Sequence, residues 1–221
     1  MIVLITGGSR GIGQACVKAL RDAGHTVAVA GRTLAGSDLF YQVDLLDGCQ
    51  RYKLIERVVN RLGGLDVLVN NAGIQSHAPF LEVSHTEWDN HLELMLTAPF
   101  DLSQQAAEYM LEHNGGHIVN ILSTSAFQGA RNIAPYVVAK HGLLGLTRAM
   151  AVELAPKIHI NGIVPGLVDS DMIGYIAPER RALLESITPA GRLGRPEEIA
   201  EALIWLIGTT YVFGQTVVID G

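Results

Sequence analysis

Tyr136 and Lys140 stand four residues apart in a stretch that reads as helical from about Ala134 to Leu154, so one helix face presents both. The spacing matters chemically. A free phenol titrates near 10 and is a poor acid or base at neutral pH. An ammonium one turn away favours the phenolate, and a drop of roughly two to three pH units corresponds to about 3–4 kcal/mol. Ser123 closes a short apolar run, His117–Leu122, thirteen residues before the tyrosine. From a strand end it is placed to hold a substrate oxygen beside the phenol. Alone, Y-x-x-x-K is common on solvated helix faces, so the reading depends on what surrounds it.

At the amino end, Thr6-Gly7-Gly8-Ser9-Arg10-Gly11-Ile12-Gly13 joins an apolar run, Ile2–Thr6, to a helical pattern, Gly11–Ala23. Glycines at 7, 11 and 13 let backbone approach a pyrophosphate, and the helix start offers free N–H groups to it. Glycine clusters also mark ordinary turns; placement directly after a buried strand favours the dinucleotide reading. The second strand, Val27–Ala30, ends on Gly31-Arg32 where a ribose-binding carboxylate would select NAD. Arg32 and Arg10 would instead clamp a 2′-phosphate, which points to NADP(H). Asp44-Leu45, after the third strand, would lie near the adenine. A nicotinamide at the other end would add positive charge beside Tyr136, and Lys140 would hold its ribose.

Along the chain, short apolar runs alternate with longer helical patterns. Strands are expected at Ile2–Thr6, Val27–Ala30, Phe40–Val43, Asp66–Asn70, His117–Leu122, Ile158–Val164 and Thr216–Ile219. Helices are expected at Gly11–Ala23, Cys49–Leu62, Thr86–His113 and Ala134–Leu154, with two shorter ones before the last strand. Such alternation implies an α/β fold: a single doubly wound Rossmann-type domain over residues 1–221, with a parallel sheet covered by helices on both faces. Ligands of such sheets bind at the carboxyl ends of the strands, where every motif above falls.

Composition narrows the partners. The formal net charge is −6 with basic residues scattered, which argues against nucleic acid or an anionic membrane. No apolar run approaches the length of a membrane helix, and the amino end lacks the pattern of a signal peptide. Cys16 and Cys49 read as free thiols, so a cytoplasmic setting is expected. The eight histidines show no metal-ligand spacing: Asn114-Gly115-Gly116 breaks the helix between His113 and His117. No metal is expected.

The glycine loop, Asn70-Asn71-Ala72-Gly73 after the fourth strand, Ser123, Tyr136-x3-Lys140 and Pro165-Gly166 occur in an order and spacing that resembles the short-chain dehydrogenase/reductase family. The resemblance extends through Gly191-Arg192-Leu193-Gly194-Arg195-Pro196-Glu197-Glu198-Ile199-Ala200 and is nearest in kind to the 3-oxoacyl-acyl-carrier-protein reductases. It implies a seven-stranded parallel sheet, hydride transfer between nicotinamide and a carbonyl or secondary alcohol, and a homo-oligomer, tetramer or dimer. Tyr136 is then the general acid/base, Lys140 lowers its pKa and binds ribose, and Ser123 orients substrate. Gly7, Ser9, Arg10, Ile12, Asp44, Asn71, Ala72, Gly73 and Val168 match cofactor contacts, Pro165-Gly166 matches the turn beside the nicotinamide, and Asn161 matches a structural position.

One position departs from the pattern. The family's fourth catalytic residue is an asparagine in the long helix, whose bend frees a carbonyl for a proton-relay water; here Met95 stands in its place. Residue 99 is proline, with no N–H to serve the Met95 carbonyl, so the helix should bend there without an asparagine. The substrate is less legible. Gln75, His77, Phe127, Gln128, Met172 and Tyr175 are candidate pocket walls. Arg180, Arg181, Arg192 and Arg195 are the best basic patch for an acidic acyl carrier, against which stands a free small ketone, alcohol or dihydrodiol. A reading of a different class is a non-catalytic dinucleotide sensor, which Met95 favours and the intact Ser123, Tyr136 and Lys140 oppose.

Overall fold

A computed structural model describes residues 1–33, 39–171 and 177–221. Seven strands lie in the order β3-β2-β1-β4-β5-β6-β7, all neighbours parallel. They are β1 (Ile2–Thr6), β2 (Thr26–Gly31), β3 (Phe40–Gln42), β4 (Val67–Asn70), β5 (Gly116–Ile121), β6 (Ile158–Pro165) and β7 (Thr216–Ile219). The strand order reverses between β1 and β4, which opens a crevice at their carboxyl ends.

The strands read as continuous apolar runs because both sheet faces are covered. Alternate residues feed two cores. Leu4, Ala28, Leu68, Ile118 and Ile160 pack on one face with Leu54, Leu102 and Met110. Val3, Ile5, Val29, Val69 and Ile163 pack on the other with Cys16, Leu20, Leu203 and Leu206. The second layer comprises α1 (Gly11–Asp22) and a late helix, Pro196–Ile207. Among the described residues, no helix is long and apolar enough to cross a membrane.

Two helices differ from the sequence reading. The stretch expected as one helix over 49–62 is two, α2 (Gly48–Arg51) and α3 (Leu54–Leu62). Asp47 caps the first by accepting from the N–H groups of Cys49 and Gln50, and Gly63 in the left-handed region (φ 82°) ends the second. At the break between them the Arg51 side chain turns into the protein, only 3% exposed.

The long helix expected over 86–113 is α4 (His85–Leu92), a π-helical turn (Glu93–Thr97) and α5 (Ala98–Glu112). A Ser84–Glu87 capping box starts α4. The Ala98 N–H donates to the Glu93 carbonyl, five residues back, so one extra residue enters the turn. Pro99 falls in the first turn of α5, where its missing N–H leaves no gap in that helix. The irregularity expected of Pro99 is therefore a π insertion. Next come α6 (Ala134–Leu154), which carries Tyr136 and Lys140, then α7 (Pro178–Ile187) and α8 (Pro196–Ile207).

Candidate active site

The glycine loop is stitched to the end of β4. The Thr6 Oγ1 accepts from the Asn71 and Ala72 N–H groups at 3.0 and 3.1 Å. The Asn71 side-chain nitrogen donates to the carbonyls of Thr6 (2.9 Å) and Gly7 (3.0 Å). Gly13 is obligatory here: a Cβ would lie 2.2 Å from the Gly7 oxygen and 2.5 Å from that Asn71 nitrogen. Gly7 takes a φ of 68°, and a Cβ there would meet the Ala72 Cα at 2.9 Å. Arg10 is the N-cap of α1, yet no side chain caps the helix and no acidic residue lies in its first turn. Those N–H groups, flanked by partly exposed Ser9, Gly11 and Ile12, suit an anion such as a pyrophosphate. The loop thus fits a dinucleotide, with Asn71's amide nitrogen spent on holding its shape.

Gly31 ends β2, and the Val43 N–H donates to its carbonyl at 2.9 Å, so Asp44 and Leu45 lie beside the Gly31-Arg32 corner. Arg10 and Arg32 are exposed, and among the described residues neither guanidinium forms an ion pair. The Asp44 carboxylate accepts from the Leu46 N–H (3.1 Å), and its own N–H donates to the Gln50 side chain (2.8 Å). Leu45 is buried, and its carbonyl accepts from Arg51. Sequence reasoning missed Arg51. Its other partners, Glu93 and Asp101, lie 42 and 50 residues away, and no local pattern marks them.

Ser123 follows β5 and caps a single 3-10 turn (Thr124–Ala126), accepting from the Ser125 N–H at 3.2 Å. Tyr136 and Lys140 approach this strand end from α6. Lys140 is 4% exposed and donates to the Ile121 carbonyl at 2.7 Å; burial pulls its pKa down to about 8. Its nitrogen sits 5.7 Å from the centre of the Tyr136 ring. Tyr136 is 8% exposed, and burial pushes its pKa up, opposed by interaction with the Ser123 hydroxyl. The lowering expected from Lys140 together with a bound nicotinamide concerns the cofactor complex; in the bare chain burial dominates. Desolvation of the phenolate outweighs the ammonium, which is turned to a backbone carbonyl. Met95 is fully buried and packs with Ile133, Tyr136 and Ala139.

Pro165 ends β6, and the Gly166 N–H donates to the Ile219 carbonyl at 2.9 Å. A Cβ on Gly166 would lie 2.7 Å from the Asp220 Cα, so glycine is needed there. Val168 is buried and bridges to Gly194. Asn161 bonds the Val212 carbonyl and the Gln215 N–H at 2.8 and 2.9 Å, a structural use. The glycine loop, Asn71–Gly73, Ser123 and Pro165-Gly166 thus border the carboxyl ends of β1, β4, β5 and β6.

Of the candidate pocket walls, Gln75 and His77 lie on the segment after β4, and Phe127 and Gln128 on the segment before α6. A bond from the Ala78 N–H to the Asn132 carbonyl (2.9 Å) joins the two segments. Met172 and Tyr175 lie outside the described residues. The candidate basic patch is largely neutralised: Arg181 pairs with Asp169 and Glu185, and Arg192 and Arg195 pair with Glu198. His117 stacks on His159, and His113 on Tyr109.

A dinucleotide-type loop, a buried phenol and a buried lysine at one crevice suit a nicotinamide-dependent oxidoreductase on a Rossmann-type sheet. Residues 1–181 match the sequence profile of the short chain dehydrogenase family, and the chain belongs to that family. It is 32% identical to a 3-oxoacyl-[acyl-carrier-protein] reductase of Aquifex aeolicus, over all of this chain and 96% of that protein. A gluconate 5-dehydrogenase from Burkholderia cenocepacia, solved with NADP and tartrate, superposes with a TM-score of 0.94 at 29% identity, covering 100% of this chain and 93% of that one. An actinorhodin polyketide ketoreductase variant solved with NADPH gives 0.92 at 32% identity, covering 100% and 95%.

Proposed function

We propose that the protein transfers a hydride between NADP(H) and a carbonyl or secondary alcohol, with Tyr136 as proton donor and acceptor and a 3-oxoacyl thioester as its substrate class. One observation carries the reading: the phenol, the Ser123 hydroxyl and a buried ammonium meet at the end of β5. NADP(H) is supported by the Gly31-Arg32 corner with Arg10, and by the NADP and NADPH held by the two solved relatives. When bound, the reduced nicotinamide supplies the hydride that reaches the carbonyl carbon. In that direction the Tyr136 Oη gives its proton to the carbonyl oxygen, and the Ser123 hydroxyl donates a hydrogen bond to the same oxygen. Lys140 holds a positive charge beside the phenolate that remains, and a carbonyl on the turn that carries Met95 links that charge through water to solvent. Oxidation runs the same proton in reverse.

The acyl-thioester reading rests on the acyl-carrier-protein reductase relative. A free small hydroxy or keto compound is the second reading, favoured by the gluconate 5-dehydrogenase likeness and by the neutralised arginines. Exposed Phe100 and Leu111 on α5 and Val138 and Val152 on α6 support assembly into a homo-oligomer through those helices. Free Cys16 and Cys49 suit a cytoplasmic setting. NADPH consumption with acetoacetyl thioesters set against small ketones tests the assignment. Oxidation of NADPH by neither class, with tight cofactor binding, would replace it with the sensor reading.

A further inference from the structure

Arg51 makes four side-chain bonds in three directions. It donates from Nη1 to the Leu45 carbonyl, from Nη2 to Glu93, and from Nε and Nη2 to one oxygen of Asp101, at 3.0 and 2.7 Å for the last two. The guanidinium is buried, whereas its two carboxylates are each about a third exposed. Leu45 lies beside the Gly31-Arg32 corner, Glu93 opens the π turn that contains Met95, and Asp101 is one turn into α5. One cation therefore ties the strand-end segment to the helical layer behind Tyr136.

The arrangement is poorly explained by stability alone. Burying a charge is costly, and a buried ion pair commonly contributes no more than well-packed apolar side chains of the same volume. What the guanidinium supplies is direction: a planar fork fixes a carbonyl and two carboxylates at set angles. The segment it holds is anchored in the core by Tyr41, Val43 and Leu45, but it has little regular structure. β3 is three residues long and α2 four, and the connection is kept in shape by the side chains of Asp44, Asp47 and Gln50.

We propose that Arg51 is a positioning residue for the adenosine end of the cofactor, fixing Asp44 and Leu45 against the π turn and α5. The proposal rests on the dinucleotide reading above. Without Arg51 the Leu45 carbonyl loses its partner, Glu93 and Asp101 face one another uncompensated, and the segment is free to drift from the Gly31-Arg32 corner.

The test uses the intact protein and separates the two ends of the cofactor. Affinities for NADPH and NADH, and for the adenosine-end fragments 2′,5′-ADP and 5′-AMP, are measured by calorimetry. Turnover of the nicotinamide end alone is followed with reduced nicotinamide mononucleotide. Arg51→Met should weaken the better adenosine fragment about tenfold, at least fivefold more than it lowers kcat/KM with the mononucleotide. Should that variant not fold, the Glu93→Gln, Asp101→Asn pair removes the anchors while keeping the guanidinium, and the same selective loss is expected. Fragment affinity that does not change, or losses that are equal at both ends, would overturn the proposal while leaving the dinucleotide reading intact. A wild-type protein that binds neither dinucleotide would overturn both.

Discussion

The Lys140 ammonium donates to the Ile121 carbonyl at 2.7 Å, while the same nitrogen stands 5.7 Å from the centre of the Tyr136 ring. The charge is thus moored to the sheet and lies within electrostatic reach of the phenol without bonding it. Burial holds its pKa at about 8 against 10.5 when free. Between those values the unfolded chain binds more protons than the folded one, so stability rises with pH across that window. Below pH 8 the cost of the buried ammonium is present in full, on the order of 3 kcal/mol. Replacing Lys140 with Met removes that cost but leaves the Ile121 carbonyl unpartnered, which offsets about 1 kcal/mol. Lys140→Met should therefore be more stable than wild type at pH 7 by about 2 kcal/mol, with the gap closing towards pH 10. Urea unfolding at pH 7, 9 and 10 checks this; a gap independent of pH would refute it.

Tyr136→Phe keeps the ring in its pocket with Met95, Ile133 and Ala139 and removes only the proton donor. Turnover should fall by at least about a hundredfold, with NADPH affinity little changed. Burial raises the phenol's pKa, so the wild-type phenol carries its proton at neutral pH. Carbonyl reduction by the wild type should then be level across neutral pH, and alcohol oxidation should climb as pH rises. Wild-type turnover in the variant, with chemistry rate-limiting, would remove Tyr136 from the mechanism.

The parts of this site that were legible in the sequence are those set by neighbours a few residues apart. The glycine loop, the Tyr136–Lys140 pair and the seven strands all carry short-range signatures of turn, period and burial. The end of the helix at Leu62 was legible, but nothing local marked the break after Arg51. That break goes with contacts to Glu93 and Asp101 that exist only once α5 packs beside α2. The π turn was visible as a proline but not as an inserted residue. Periodicity places Lys140 on the right face without showing that its ammonium donates to the Ile121 carbonyl, which leaves burial to set the direction of the Tyr136 pKa in the bare chain.

Cofactor choice can be tested at the end of β2. Among the described residues no atom lies within 4 Å of a Cβ placed on Gly31, so a carboxylate can be added there without clashing with them. Gly31→Asp with Arg32→Ala offers the ribose diol an acceptor and removes a 2′-phosphate partner. The unmodified protein should prefer NADPH over NADH by at least about tenfold, and the double variant should reverse the order. Equal affinity of the unmodified protein for both would sink the role of Arg32.

In a regular helix the N–H of residue 99 would serve the Met95 carbonyl. In the π register shown by the Ala98–Glu93 bond, residue 99 would instead face Leu94. Residue 99 is proline and serves neither, so Pro99 withholds a donor from this turn in either register. A carbonyl left open there can hold water and pass protons between Lys140 and solvent without the family's asparagine. Pro99→Ala restores the N–H and should close the turn. Its turnover should drop severalfold in dilute buffer and recover in concentrated buffer, where buffer molecules deliver protons instead. Met95→Asn should leave turnover per folded molecule close to wild type. It should also cost about 1–3 kcal/mol of stability, because its amide enters the apolar cluster around Tyr136. If Pro99→Ala responds to buffer concentration no differently from wild type, proton delivery does not pass through this turn.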